Sequence, residues 1–130
     1  VVVTTYDNLE FKHMFGYNKN KLKISRGDLK KFVKEIEKQL KDGRGSITIN
    51  IVSSASNVPT TTFSSNEKLA NIRAENMKYD LIAYFEKKSD FKGKVTVVII
   101  DAKVTGPAYE QDAGNRDKYA PFQFVSLSTE

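Results

Sequence analysis

The sequence predicts one mixed α/β domain, a two-layer sandwich in which two main helices lie on one face of a mixed β-sheet. Two stretches repeat their apolar residues at helical spacing, at 29–40 and again at 70–85, and strand-like runs lie before, between and after them. The resulting order is βαβαββ, two crossover units followed by a returning strand. Right-handed crossovers put both helices on the same side of the sheet. At 130 residues the chain suits one core, so residues 1–130 read as a single domain.

Residues 9–14 read as a short strand, with Leu9, Phe11 and, loosely, His13 on one face. The period then changes. Ser25 with Asp28 three residues later resembles a capping box, and Leu29, Phe32, Val33, Ile36 and Leu40 follow as one amphipathic stripe. The opposite face carries Lys30, Lys31, Lys34, Glu35, Glu37 and Lys38 and reads as solvated. Asp42-Gly43-Arg44-Gly45 stops this helix, because glycine adopts the left-handed backbone at little steric cost.

Ile47, Ile49 and Ile51 alternate with Thr48, Asn50 and Val52, the pattern of a half-buried strand. Residues 53–65 are small and polar, with Pro59 and Thr60-Thr61-Thr62, and read as a long loop at that strand's carboxyl end. The second helix is expected from about Glu67 to Lys87, opened by Ser64 and Glu67 as a capping box. Its buried stripe is Ala70, Ala74, Met77, Leu81 and Phe85. After Gly93, the unbroken run Val95 to Ile100 suits a central strand covered on both faces. Thr105-Gly106-Pro107 closes it, residues 109–118 read as a loop or short helix, and Phe122, Phe124, Val125 and Leu127 suggest a last strand.

Composition narrows the chemistry. Lys and Arg number 21 against 16 Asp and Glu, a net charge of +5 that favours an anionic or carboxylate-rich partner: nucleic acid, anionic lipid or cell-wall polymer. Cysteine is absent, which excludes disulfides, cysteine nucleophiles and zinc ribbons. The single histidine, His13, leaves little material for a catalytic triad or a histidine-rich metal site, and it reads as a surface or half-buried strand residue. No run approaches the ~20 apolar residues of a membrane span. The opening Val1-Val2-Val3-Thr4-Thr5-Tyr6 lacks the basic and long apolar regions of a signal peptide, as expected of a piece cut from a longer protein.

The strongest candidate site is Asn66 and Arg73. Seven residues apart on one helix, they lie on one face about 10 Å apart along the axis, near the positive helix end. Arg73 has Ala70, Ala74 and Met77 as its helical neighbours and so should point along the rim of the core. A guanidinium there needs a carboxylate, and its planar fork suits bidentate capture. An internal salt bridge to Glu67, Asp101 or Asp112 accounts for it equally well. Ser54, Ser56 and Asn57 in the following loop supply hydroxyls and an amide at the mouth where open α/β sheets bind ligands, although ordinary turn chemistry explains such a loop too.

No base is placed beside a nucleophile, and Gly43-Arg44-Gly45 fits neither a P-loop nor a dinucleotide fingerprint, so no enzyme, cofactor or metal is expected. Lys19, Lys21, Lys23, Arg26, Lys30 and Lys31 cluster near Tyr17, but no nucleic-acid recognition signature accompanies them. Nucleic acid is therefore not the expected partner.

Two motifs resemble the OmpA-like peptidoglycan-associated family. The first is Phe15-Gly16-Tyr17-Asn18 with Leu22 four residues on; the second is Asn66, Leu69, Ala70, Arg73 and Ala74. The resemblance spans most of the chain. It implies a non-catalytic periplasmic module that grips a diaminopimelate-type stem peptide and tethers a larger outer-membrane or periplasmic protein of a Gram-negative envelope to the wall. Arg73 would be the carboxylate anchor, and Asn66 would order the loop or the ligand. The family's second anchor, an aspartate just after the second strand, has no counterpart here, where Ser53-Ser54-Ala55-Ser56-Asn57 stands. That departure leaves open a scaffold that instead binds a protein partner in an envelope complex. The region from Thr105 to Ser126 also departs from the family's usual Arg-rich ending.

Overall fold

The computed structural model describes residues 6–15, 27–59, 64–111 and 116–130, without the side chains of residues 116 and 117. The rest of the first motif, from Gly16 to Leu22, lies outside the described residues. So do Ser25 of the capping box, the basic cluster from Lys19 to Arg26, the threonine run and Asp112.

Strand β1 (Glu10–Met14) leads to α1 (Gly27–Lys41), β2 (Ile47–Ala55), α2 (Asn66–Glu86) and β3 (Val95–Val104). A four-residue helix α3 (Arg116–Tyr119) and a 3₁₀ turn (Ala120–Phe122) precede β4 (Phe124–Thr129). The sheet order is β1-β4-β2-β3. β4 runs antiparallel to both β1 and β2, and β2 runs parallel to β3. The mixed sheet, the two main helices and the βαβαββ order all match the expectation.

Both predicted helical stripes are buried. Leu29, Phe32, Val33, Ile36 and Leu40 of α1 meet Ala74, Met77, Leu81 and Phe85 of α2 in one cluster. The sheet contributes Ile47, Ile49 and Ile51 from β2, Val97 from β3, and Val125 and Leu127 from β4. At roughly 1.5–3 kcal/mol for each large apolar side chain removed from water, this cluster is the main favourable term in folding. α1 ends at a glycine as expected: Gly43 has φ 111°, and the next amide, of Arg44, returns to the Gln39 carbonyl at 3.1 Å.

Several features differ from the sequence reading, and Phe122, expected in the last strand, lies in the 3₁₀ turn before it. β3 is an edge strand covered on one face, with Val98 38% and Ile100 59% exposed. The inner places belong to β2 and β4. Ile99 pairs with Ile51 but Asp101 with Val52, so Ile100 is the extra residue of a bulge. This bulge, with the exposed Lys103–Asp101 pair at 3.1 Å, interrupts an edge that would otherwise invite another strand.

β2 also outlasts its isoleucines. Ser53 and Ser54 are strand residues, paired with Val125 and Phe124 of β4, rather than the start of a loop. Serine is tolerated there because each hydroxyl is satisfied inside: Ser53 Oγ donates to the Ala70 carbonyl at 2.8 Å, and Ser54 Oγ shares a hydrogen with Thr105 Oγ1. Finally, the cap of α2 is Ser65, not Ser64. Its extended backbone (φ −160°) lets Oγ accept from the Lys68 amide at 3.1 Å.

Candidate functional site

The carboxyl end of β2 and the first two turns of α2 form one polar knot inside the core layer. Arg73 is at its centre, 1% exposed, and thus inside the protein rather than on its rim. Its Nη1 donates to the Ser54 carbonyl at 2.8 Å and to Gln123 Oε1 at 2.6 Å. The Phe15 ring lies 4.8 Å from the guanidinium carbon, close enough for a cation–π contact. Burial pushes the guanidinium pKa down to about 10, which leaves it charged at neutral pH.

Gln123 was not singled out in the sequence, yet it joins the knot together. It is 3% exposed; its Oε1 accepts from Arg73 and its Nε2 donates to Ser56 Oγ at 2.7 Å. The signal was there to read. Gln123 stands in period two with Val125, Leu127 and Thr129, the core-facing residues of β4, and an amide on a core face requires partners. Its main chain is fixed as well, because its carbonyl accepts from the Phe15 amide at 2.7 Å. Phe15 therefore touches both the arginine and the main chain of the glutamine.

The other expected residues fall into three positions. Ser54 and Ser56 are buried at 1% each and both belong to the knot, Ser54 through its main chain and Ser56 through its hydroxyl. Asn57 faces the other way: its Nδ2 donates to the carbonyls of Gly106 at 3.1 Å and Pro107 at 3.0 Å, tying the end of β2 to the turn after β3. Gly106 itself lies against Phe122. It has φ +94°, and a Cβ there would lie 2.5 Å from the Phe122 ring. Asn66 opens α2 with a buried Oδ1 that has no hydrogen-bond partner among the described residues. No described hydrogen bond joins Asn66 to the Arg73 group.

Of the internal acids considered for Arg73, Asp101 pairs with Lys103 at 3.1 Å and Glu67 is exposed. His13 stands edge-on to Phe15 with ring centroids 4.7 Å apart. Burial, and secondarily the charge of Arg73, hold its pKa below the usual imidazole value. A groove of about 350 Å³ lies elsewhere, between β1 and α1, lined by Leu9, Phe11 and Phe32 with charged residues around them.

The fold is similar to that of the periplasmic domain of Helicobacter pylori MotB, with a TM-score of 0.50 and 18% identity over 93% of this chain and 81% of that one. A second MotB periplasmic-domain structure superposes with a TM-score of 0.45 and 19% identity, over 79% of this chain; the chain spans 51% of that structure. At these identities the likeness concerns the fold. No protein-family model matches the sequence, and no curated protein matches it either.

Proposed function

We propose that this chain is a non-catalytic peptidoglycan-binding module, a single domain of a larger envelope protein that it tethers to the wall from the periplasm. The observation that carries the reading is the place of Arg73. A guanidinium is held at the carboxyl end of β2, two turns into α2, between an aromatic ring and two oxygen acceptors. Buried there at 1% exposure, it meets a carboxylate of a diaminopimelate-type stem peptide by charge-assisted hydrogen bonds once a present acceptor gives way. The OmpA-like motif of Asn66, Leu69, Ala70, Arg73 and Ala74 supports this reading, as does a fold like that of a periplasmic domain. Asn66 adds a buried acceptor at the helix start, suited to ordering the loop or receiving a ligand N–H. Outer-membrane association, in a Gram-negative envelope, belongs to the same proposal.

The test is retention on purified sacculi. Wild-type protein should sediment with them, and Arg73→Ala should not; equal retention of the two proteins would remove the proposal. The aspartate missing after β2 lowers the expected affinity by about 1.5–3 kcal/mol, roughly ten- to a hundredfold.

One observation favours a second reading, a scaffold that recognises a protein partner in an envelope complex. Ser53, Ser54 and Ser56, which stand where the second anchor would be, already spend their hydroxyls inside the fold. This reading predicts capture of an envelope protein that is unaffected by Arg73→Ala.

A further inference from the structure

The geometry points to Gln123 as an internal stand-in for the ligand: its side-chain amide occupies the place on Arg73 and Ser56 that an incoming amino-acid head group takes, and binding is an exchange. This inference rests on the reading of Arg73 as a carboxylate anchor. A primary amide carries an acceptor oxygen and a donor nitrogen on one carbon. Here the oxygen takes a hydrogen from Arg73 at 2.6 Å, and the nitrogen gives one to Ser56 Oγ at 2.7 Å. A head group bearing a carboxylate and an ammonium offers the same acceptor and donor side by side.

Access requires the exchange. Arg73 is 1% and Gln123 3% exposed, so a ligand oxygen reaches this Nη1 only when one of its present acceptors leaves. The Ser54 carbonyl cannot leave, since Ser54 is main chain paired with Phe124 on one side and Lys103 on the other. Gln123 can. Its amide nitrogen donates to the Ala120 carbonyl at 3.1 Å and its carbonyl accepts from Phe15 at 2.7 Å, so the backbone stays fixed while the side chain rotates.

The exchange also selects. A carboxylate accepts from a guanidinium more strongly than a neutral amide does, so an anionic oxygen displaces Gln123 where a neutral one does not. Once Nε2 withdraws, Ser56 Oγ keeps its contact with the Val58 amide at 3.3 Å and regains a lone pair for the ligand ammonium. Ser56 thereby takes, with a neutral hydroxyl, the part played elsewhere by the missing aspartate.

The test uses the full chain and four variants: Gln123→Ala, Gln123→Glu, Ser56→Ala and Arg73→Ala. The probes are an Ala-γ-Glu-diaminopimelate tripeptide and sodium acetate, followed by calorimetry and by the Arg73 Nε–H resonance. Gln123→Ala should bind the tripeptide at least tenfold more tightly than wild type. Gln123→Glu keeps its own carboxylate on Arg73 and should bind at least tenfold more weakly, with a raised melting temperature. Ser56→Ala should weaken the tripeptide and leave acetate unchanged.

A Gln123→Ala protein with intact circular dichroism that binds no better than wild type would overturn the inference. So would unchanged affinity in Gln123→Glu, which carries the test by itself if the alanine variant does not fold. If no protein binds the tripeptide, the wall-binding reading fails on its own, and acetate decides the exchange. Acetate moving the Arg73 resonance in Gln123→Ala at fivefold lower concentration than in wild type sustains it, and equal concentrations refute it.

Discussion

Replacing Arg73 by methionine separates what this residue does for the fold from what it does for a ligand. Methionine keeps much of the buried stem and removes the charge. At least two acceptors then lose a donor, the Ser54 carbonyl and Gln123 Oε1. At about 1–3 kcal/mol for each buried acceptor left unsatisfied, the loss is about 4 kcal/mol. Against it stands the cost of holding a desolvated cation. Burial lowers the guanidinium pKa from 12.5 to about 10, which corresponds to about 3 kcal/mol relieved when the charge goes. With the cation–π contact to Phe15 also lost, worth about 1 kcal/mol, the net destabilisation is about 2 kcal/mol, modest for a substitution at a residue 1% exposed. In urea, with a slope of about 2 kcal/mol/M, the midpoint should fall by about 1 M with the slope unchanged. Binding to sacculi should vanish in the same protein. A loss above about 4 kcal/mol would refute the reasoning, since Arg73 would then be a structural clamp and its place in the site incidental.

Three further outcomes follow from the same structure. Gly106→Ala combines a positive φ with a Cβ that would lie 2.5 Å from the Phe122 ring, and thermal melts should show a loss of at least about 2 kcal/mol. Ser65→Ala removes the cap of α2 and should cost about 1 kcal/mol in a urea titration, whereas Ser64→Ala should cost almost nothing. His13 titrates below its unfolded value of 6.5, so the stability it contributes is complete above that value and is lost as pH falls through the folded pKa. Urea midpoints at pH 7.5 and 5.5 should therefore differ less in His13→Gln, and in Arg73→Met the His13 ring should titrate higher than in wild type.

Much of this architecture is legible in the residues because the largest energetic term, apolar burial, leaves a periodic trace. Leu29 through Leu40 and Ala70 through Phe85 announce two helices and their inward faces, and each residue of both stripes is buried. Sheet position is less legible. Val95 to Ile100 looks inner because all but one of its residues are apolar, yet only one face is covered, and nothing local to β3 says that β4 will pair on the far side of β2. Serine misleads in the opposite direction, since Ser53 and Ser54 count as turn formers until their long-range partners Ala70 and Thr105 are known. The candidate site divides the same way. Arg73 stands out locally, while the residue that engages it, Gln123, is fifty positions away and only a core-facing alternation marks it.

The placement of β4 has a consequence for how the chain acquires its structure. The last strand in the sequence is an inner strand of the sheet, and β1, more than a hundred residues upstream, is hydrogen-bonded to it along its whole length, from Glu10 opposite Ser128 to Met14 opposite Phe124. During synthesis the first strand must wait for the final six-residue segment before it has a neighbour at all. Such distant pairing makes for slow collapse into the finished state. Clipping that segment should leave unpaired edges on β1 and β2 where the intact domain has a seam, and such edges invite aggregation.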